Sequence, residues 1–505
     1  MPQVYPTWGI CNGEKRMNNN TMNFQDIVNG QYGRKIAYTD ADRITRDNIV
    51  RVLGECIGTF NFNKTAIQYL WNYKNGDQPA LYRQKTIRDD VLNHVVENHA
   101  WEIVRFKMGQ TYGEPIMYNS LSKDDAVNEA VDRFNGYLKS AGKAAKDLSM
   151  GEWQSAVGTG FEAIQLLEEG AEKPFRIVVP TPLNTFVIYS RKTQEPLVAV
   201  QELKDEEKRL YYQCFTKTHE YRIQNSGLVP LLDGTGDFIY ERLHIFGEIP
   251  IVEYPNNQDR LSDIELVITM LDAINNMQSN RMDSIEQFVQ SYIKFVNCEI
   301  DEQQFARMKQ MGALVVKSNN GSENKADVDI MTQELNQTQT QVAKDDLWDN
   351  TLSILAIPNK QTNTGGDTQG AVELRNGWDF SKQAAKIKDA YVIESEYRLS
   401  ICMKNAVRIR KGEKELPLTV TDYEPVINHS PTDNMQVKAQ TFVMLVQAGI
   451  NPLVAIRVCG LWNDPEKVYL LSKPYLDNLY KTIDEAIEEQ GLQDQIAKAQ
   501  ALVEQ

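Results

Sequence analysis

Gly247-Glu248-Ile249-Pro250-Ile251-Val252-Glu253-Tyr254-Pro255-Asn256-Asn257 leads, across four residues, into Ser262-Asp263-Ile264-Glu265 and then Leu271-Asp272-Ala273-Ile274-Asn275. The first string closes a strand-rich region, in which β-branched and aromatic runs are broken by Pro and Gly. Ser262 and Glu265 have capping-box spacing, so the Ser hydroxyl and the Glu carboxylate are placed to satisfy the free amides of a helix start. The apolar positions Ile264, Val267, Leu271 and Ile274, resumed by Ile285, Phe288 and Val289, follow at helical spacing and predict a long helix to about Gln290.

Upstream, strands are expected at Phe175-Arg176-Ile177-Val178-Val179, Thr185-Phe186-Val187-Ile188-Tyr189 and Leu210-Tyr211-Tyr212-Gln213-Cys214-Phe215. Val91, Val95, Val96, Ile103, Val104 and Met108 recur near a helical period, predicting a buried helix from about Val91 to Tyr112 that Gly113 and Pro115 end. A second helix is read from Lys123 to Ser140, before punctuation at Gly151, Gly158 and Gly160. The first thirty residues show no steady period and are taken as an arm. Downstream, a mixed stretch over Ser291–Asp329 precedes helical texture from Met331 to Leu355, stopped by Pro358. Asn359, Lys360, Gln361, Thr362, Asn363, Thr364, Gly365, Gly366 and Asp367 then form a polar loop with too little apolar surface to fold alone. A very long helix is predicted from about Thr368 to Arg410, spanning on the order of 60 Å, with Gly377 as a kink point. Shorter helices follow, at Asn434–Ala448 and Pro452–Gly460, and an acidic, Gln/Ala-rich end from Lys481. The fold class is therefore α+β, mainly helical.

Composition narrows the function. A chain of 505 residues with 42% apolar and 24% charged residues holds several structural regions and a sizeable core. The net charge of −15 argues against tight wrapping of nucleic acid, which depends on Lys and Arg neutralising phosphates. It does not argue against DNA sliding past a repelling wall. Apolar runs such as Phe442-Val443-Met444-Leu445-Val446 are too short to cross a bilayer, and with no basic-then-apolar start the chain is expected to be soluble and cytosolic when made. The six cysteines form no C-x-x-C pair or Cys/His cluster, so no zinc or redox site and no disulfide is expected.

Motifs of chemistry are scarce. Gly365-Gly366-Asp367-Thr368-Gln369-Gly370 precedes a helix, but no Lys-Ser or Lys-Thr follows, so the Walker pattern fails. His94 and His99 are five apart and share no helical face; His219, His244 and His429 are isolated. There is no G-x-S-x-G or H-E-x-x-H string and no dense acidic cluster of a two-metal nuclease. No catalytic residue, metal ligand or cofactor is assigned. Asp263, Glu265, Asp272, Asp283 and Glu286 share one stretch with a single base, Arg281, and read either as a solvated helix face or as a negatively charged channel wall.

The order of these elements resembles the portal proteins of long-tailed double-stranded DNA bacteriophages, from about Val91 to Leu471. The strings that carry the resemblance are Phe106-Lys107-Met108-Gly109-Gln110-Thr111-Tyr112-Gly113-Glu114-Pro115-Ile116, the opening stretch from Gly247 through Asn275, the Gly-containing loop before the long helix, and Asn428-His429-Ser430-Pro431-Thr432-Asp433 ahead of the helix bearing Gly449 and Ile450. It implies a ring of twelve subunits around a central channel. In that scheme 1–30 are an N-terminal arm, 31–258 a wing, 259–290 a first stem helix, 291–330 a clip and 331–357 a second stem helix. Residues 358–368 would be a tunnel loop, 369–412 a long kinked wing helix and 413–505 a crown. The implied role is passage of double-stranded DNA at one capsid vertex of a virion assembled in the host cytoplasm. The implied partners are the large terminase, head-completion adaptors, major capsid and scaffolding proteins, and DNA bound without sequence preference, with no membrane. Other readings from the residues alone are a different virion structural protein, of neck or capsid, and an α/β enzyme with an unrecognised site.

Overall fold

The computed structural model describes residues 24–28, 30–85, 90–224, 228–230, 241–289, 292–296, 303, 327–331, 337–359, 377–429, 435–459, 462, 465 and 467–475. A short helix α1 (Phe24–Val28) and strand β1 (Ala37–Thr39) lead into α2 (Ile49–Lys74), whose Ile49, Val52, Leu53, Cys56, Phe60, Ile67 and Leu70 face inward at steps of three, four and seven. Next come α3 (His99–Tyr112), β2 (Met117–Ser120), α4 (Asp125–Ala141) and α5 (Lys143–Val157). Strands β3 (Thr159–Leu166), β4 (Phe175–Val178), β5 (Thr185–Ser190), β6 (Pro196–Lys204), β7 (Leu210–Phe215), β8 (His219–Gln224), β9 (Val229–Pro230), β10 (Glu241–Leu243) and β11 (Ile251–Pro255) then follow, with no intervening helix among the described residues. The chain continues through α6 (Ile268–Val289), β12 (Tyr292–Val296), β13 (Asp327–Met331), α7 (Gln337–Ile354), α8 (Trp378–Lys411), β14 (Tyr423–Val426), α9 (Met435–Gln447) and α10 (Pro452–Cys459).

The largest sheet has the order β1-β5-β6-β7-β8-β10, with β9 also on β8; among the described residues only β1 with β5 is parallel. A second, antiparallel sheet has the order β11-β3-β4, and the pairs β12–β13 and β14–β2 stand apart. One face of the large sheet packs on α2 through Ile188, Val198, Val200, Cys214 and Ile223. Phe161, Val187, Ala199, Ile249 and Ile251 join the two sheets. The second sheet, α4, β2, β14 and α8 enclose one core around Phe134, Tyr254, Leu399 and Tyr423. Helices α1, α2, α3, α5 and α6 enclose another.

The α+β, mainly helical reading therefore holds, while several boundaries move. The helix expected from Val91 begins at His99, where the Asn98 side chain caps it by accepting from the Trp101 amide. Residues 92–98 are not helical. Gly151 does not punctuate; it lies inside α5, where a Cβ would meet the Tyr112 ring at 2.3 Å. Gly377, expected as a kink point, is the first described residue after the polar loop. Its φ of +81° is left-handed and it stands at the N-cap of α8, which runs 34 residues, about 51 Å; residues 368–376 of the expected helix lie outside the described residues. The helix expected from Met331 to Leu355 is described over Gln337–Ile354, Met331 itself ending β13, and 332–336 lie outside the described residues. The capping box is observed: the Glu265 carboxylate accepts the Ser262 amide at 2.7 Å and the Ser262 hydroxyl accepts the Ile264 amide at 3.2 Å. A 3₁₀ turn, Glu265–Val267, precedes α6.

Candidate functional site

The region from the start of α6 to the start of α8 carries most of the residues singled out above, and it is organised by buried carboxylates. Glu265 is sealed, pairing with the Arg34 guanidinium and accepting the amides of Gly33 (3.0 Å) and Ser262. Burial pushes its carboxyl above the usual range, and the Arg34 charge pulls back. Asp272 accepts from the Tyr73 hydroxyl at 2.9 Å, and burial raises its pKa to about 6. Asp263 accepts from the Ser155 hydroxyl (2.6 Å) and the Asn256 amide (2.9 Å).

Asp283 anchors a different contact. Lys85 (2.5 Å) and Arg83 (2.9 Å) meet its Oδ2, and the backbone amide of Asn93 meets Oδ1 at 2.6 Å. Burial alone would raise this carboxyl, but Lys85, the Asn93 amides and Arg83 outweigh it and hold it below the ordinary range. Glu286 accepts from the Asn93 side chain at 2.9 Å. The 92–98 stretch lies along α6 as a ladder: the amides of Asn93, Val95 and Glu97 donate to Asp283, Ser279 and Asn275 in turn. Their backbone donors are thereby paired with side chains instead of a sheet.

These contacts correct the channel-wall reading for part of the set. Glu265 and Asp283 are buried within one chain, their charges neutralised by Arg34, Arg83 and Lys85, and so line no open surface of it. Asp263 and Asp272 are half-buried on internal donors, and Glu286 is half-buried. Of the polar loop, Asn359 donates to Asp349 at 2.8 Å; Lys360, Gln361, Thr362, Asn363, Thr364, Gly365, Gly366 and Asp367 lie outside the described residues.

A charge cluster that the sequence reading missed sits where α5, β3 and α8 meet. Lys143 Nζ contacts Asp147 (2.5 Å), Glu396 (2.8 Å) and Glu162 (3.5 Å), and all four side chains are at most 3% exposed. Glu396 also accepts from the hydroxyls of Tyr118 (2.6 Å) and Tyr254 (2.8 Å). The three carboxylates lie close enough together to hold a metal ion, but the Lys143 ammonium already supplies the cation. Burial drives Asp147 and Glu162 upward, Glu162 well above the usual carboxylate range. These are features of structure rather than of catalysis. A cavity of about 40 Å³, lined by Asn63, Thr159, Glu253 and Arg260 among others, is far below the ~300 Å³ of a small-molecule site. Of the histidines, His94 lies on the Ala80 carbonyl, His244 on that of Thr216, and His99 is stacked on Trp348. Cys56, Cys214, Cys402 and Cys459 are free and buried.

Among the described residues no helix is long and apolar enough to cross a membrane. The sequence profile of the family described as "Phage portal protein, SPP1 Gp6-like" matches residues 54–467. The chain belongs to that family, which is structural and not enzymatic. It is similar to the "Portal protein" of Bacillus phage SPP1, 23% identical over 306 residues, a match that spans 56% of this chain and 57% of that protein. Among solved structures it is similar to a chain of the "Virion of native gene transfer agent (GTA) particle" (TM-score 0.43, 10% identical, 78% of this chain and 93% of that one). A chain of the "Neck of empty GTA particle computed with C6 symmetry" gives a TM-score of 0.42 at 11% identity, covering 72% and 90%.

Proposed function

We propose that twelve copies of this chain close into a ring at one capsid vertex of a phage virion, and that double-stranded DNA enters and leaves through its bore. The observation that carries this reading is the family match over residues 54–467. In this scheme α6 and α7 are the stem; Arg281 of one reaches Gln341 of the other at 2.9 Å. Residues 291–330 form the clip, and β12 pairs with β13 where the chain leaves and re-enters the stem. Residues 358–368 are the tunnel loop, α8 crosses the wing, and α9 and α10 belong to the crown. Subunits meet through unlike patches, as ring closure requires. The net charge of −15 keeps DNA from adhering, while Lys360 and the neighbouring amides and hydroxyls make weak phosphate contacts that carry no sequence information. The clip receives the large terminase during packaging and head-completion adaptors afterwards, and scaffolding and major capsid proteins surround the wing. Assembly takes place in the host cytoplasm.

Light scattering and electron microscopy on the purified protein test the reading. Twelve chains of 57.7 kDa give roughly 690 kDa and a ring with a central hole. A chain that stays monomeric even when co-produced with the scaffolding protein of its own phage would overturn it.

A further inference from the structure

Helix α3 touches both chain ends that flank residues 360–376. Lys107 Nζ donates to the Leu355 carbonyl at 2.5 Å, just past α7. One turn further, Gln110 Nε2 donates to the carbonyl (2.8 Å) and hydroxyl (2.9 Å) of Ser381, in the first turn of α8. The carbonyl of the same Gln110 lies 2.8 Å from His429 Nδ1, and His429 Nε2 lies 2.6 Å from Asp389 Oδ2 on α8. Both ring nitrogens thus face groups that only accept, and only the imidazolium, with an N–H on each nitrogen, satisfies both. His429 lies six residues before the start of α9.

We propose that α3 is a bracket: Lys107 and Gln110 are positioning residues that set the end of α7 against the start of α8, and protonated His429 ties the chain leading to the C-terminal helices onto the same bracket. The charged groups facing His429 are Asp389 and Lys386 from α8; α3 presents its Gln110 carbonyl, with Lys107 one turn away. Lys388, beside Asp389, is directed to Asp263 at 3.9 Å. The Asp389 hydrogen bond raises the His429 pKa above its ordinary 6.5, burial opposes this and the Gln110 carbonyl adds to it. The tie is therefore complete below pH 6.5 and is lost as pH rises through the raised value. The inference rests on the portal reading only for its consequence, that a displacement of the crown is felt at the base of the tunnel loop.

Hydrogen–deuterium exchange on the full-length protein tests it, with rates corrected for the intrinsic pH dependence. Exchange over 377–385 and 423–429 is expected to accelerate by about tenfold from pH 6 to pH 9, the equivalent of one charge-assisted hydrogen bond. His429→Phe should exchange fast at both pH values, and Asp389→Asn, which keeps the packing, should flatten the same profile. Gln110→Leu should accelerate 377–385, whereas Arg105→Ala, an exposed neighbour on α3, should not. A pH profile unchanged in both His429→Phe and Asp389→Asn, or a Gln110→Leu effect confined to α3, would overturn the bracket. An intact ring with that negative result removes the bracket alone; the expected exchange pattern without any ring removes the portal reading alone.

Discussion

Removing Lys143 and neutralising Glu162 should have opposite consequences, although both side chains belong to one buried cluster. One ammonium faces three carboxylates there. Glu396 receives Lys143 and two tyrosine hydroxyls. Burial raises both Asp147 and Glu162, and Asp147 Oδ2 and Glu162 Oε1 receive no donor from any described group; a proton shared by those two acids is therefore expected. Lys143→Met deletes the cluster's ammonium and leaves buried charge uncompensated, a loss of about 3–5 kcal/mol. Glu162→Gln keeps the shape, removes the need for that proton and should cost little. The pH dependence separates the two further. A carboxyl raised by burial contributes its stability at low pH and loses it as pH rises through the folded value, at about 1.4 kcal/mol per pH unit for one proton. Relative to wild type, Glu162→Gln should therefore gain stability from pH 5 to pH 8. Urea unfolding followed by tryptophan fluorescence reads this directly, because the stacked Trp71 and Trp153 report on α2 and α5. Equal losses for Lys143→Met and Glu162→Gln at both pH values would refute the shared-proton argument.

The remaining expectations concern backbone and anchoring. Gly158 has a φ of +91°, and a Cβ there would lie 1.9 Å from the Arg260 carbonyl oxygen, whereas Gly142, at +71°, has open space around it. Gly158→Ala should cost more than about 3 kcal/mol and cut the yield of soluble protein, while Gly142→Ala should cost about 1 kcal/mol, both read by thermal unfolding. Asp283→Ala should cost about 2–4 kcal/mol, because it strands Arg83, Lys85 and the Asn93 amide, and should expose the 85–98 stretch to limited proteolysis. The lowered Asp283 pKa places this contribution above the ordinary carboxylate range and removes it as pH falls through the lowered value.

The switch from strands to helix at 255–268 was legible because its signals are local: Pro255, the Ser262–Glu265 box and an apolar stripe of regular spacing. Strands β4, β5 and β7 were legible for the same reason. Helix α5 was not, because its buried face carries Lys143, Asp147 and Gln154 and so shows no apolar period. Val91, Val95 and Val96 imitate a helical period in a stretch that instead donates its amides to α6. Helix α2, whose spacing is regular, was open to the same reading that found α6. The acids from Asp263 to Glu286 looked like a solvated row because their cations are remote in sequence: Arg34 and Arg83 stand 231 and 200 residues from their partners. No local window contains both halves of such a pair.

The ladder between residues 93–97 and α6 behaves as a vernier. Two residues of extended chain advance about 6.7 Å and four residues of helix about 6.0 Å, so each successive rung falls out of step by about 0.7 Å. Across the three rungs from Asn93 to Glu97 the accumulated error is about 1.4 Å, near the tolerance of side chains of the length of Asp, Ser and Asn. A fourth rung would miss, which fits the turn into α3 immediately afterwards at Asn98. The same arithmetic fixes the phase of the preceding chain: an insertion or deletion of one residue between Arg83 and Asn93 that shifted the ladder would present carbonyls where α6 offers acceptors, whereas a change of two residues would leave every rung in register.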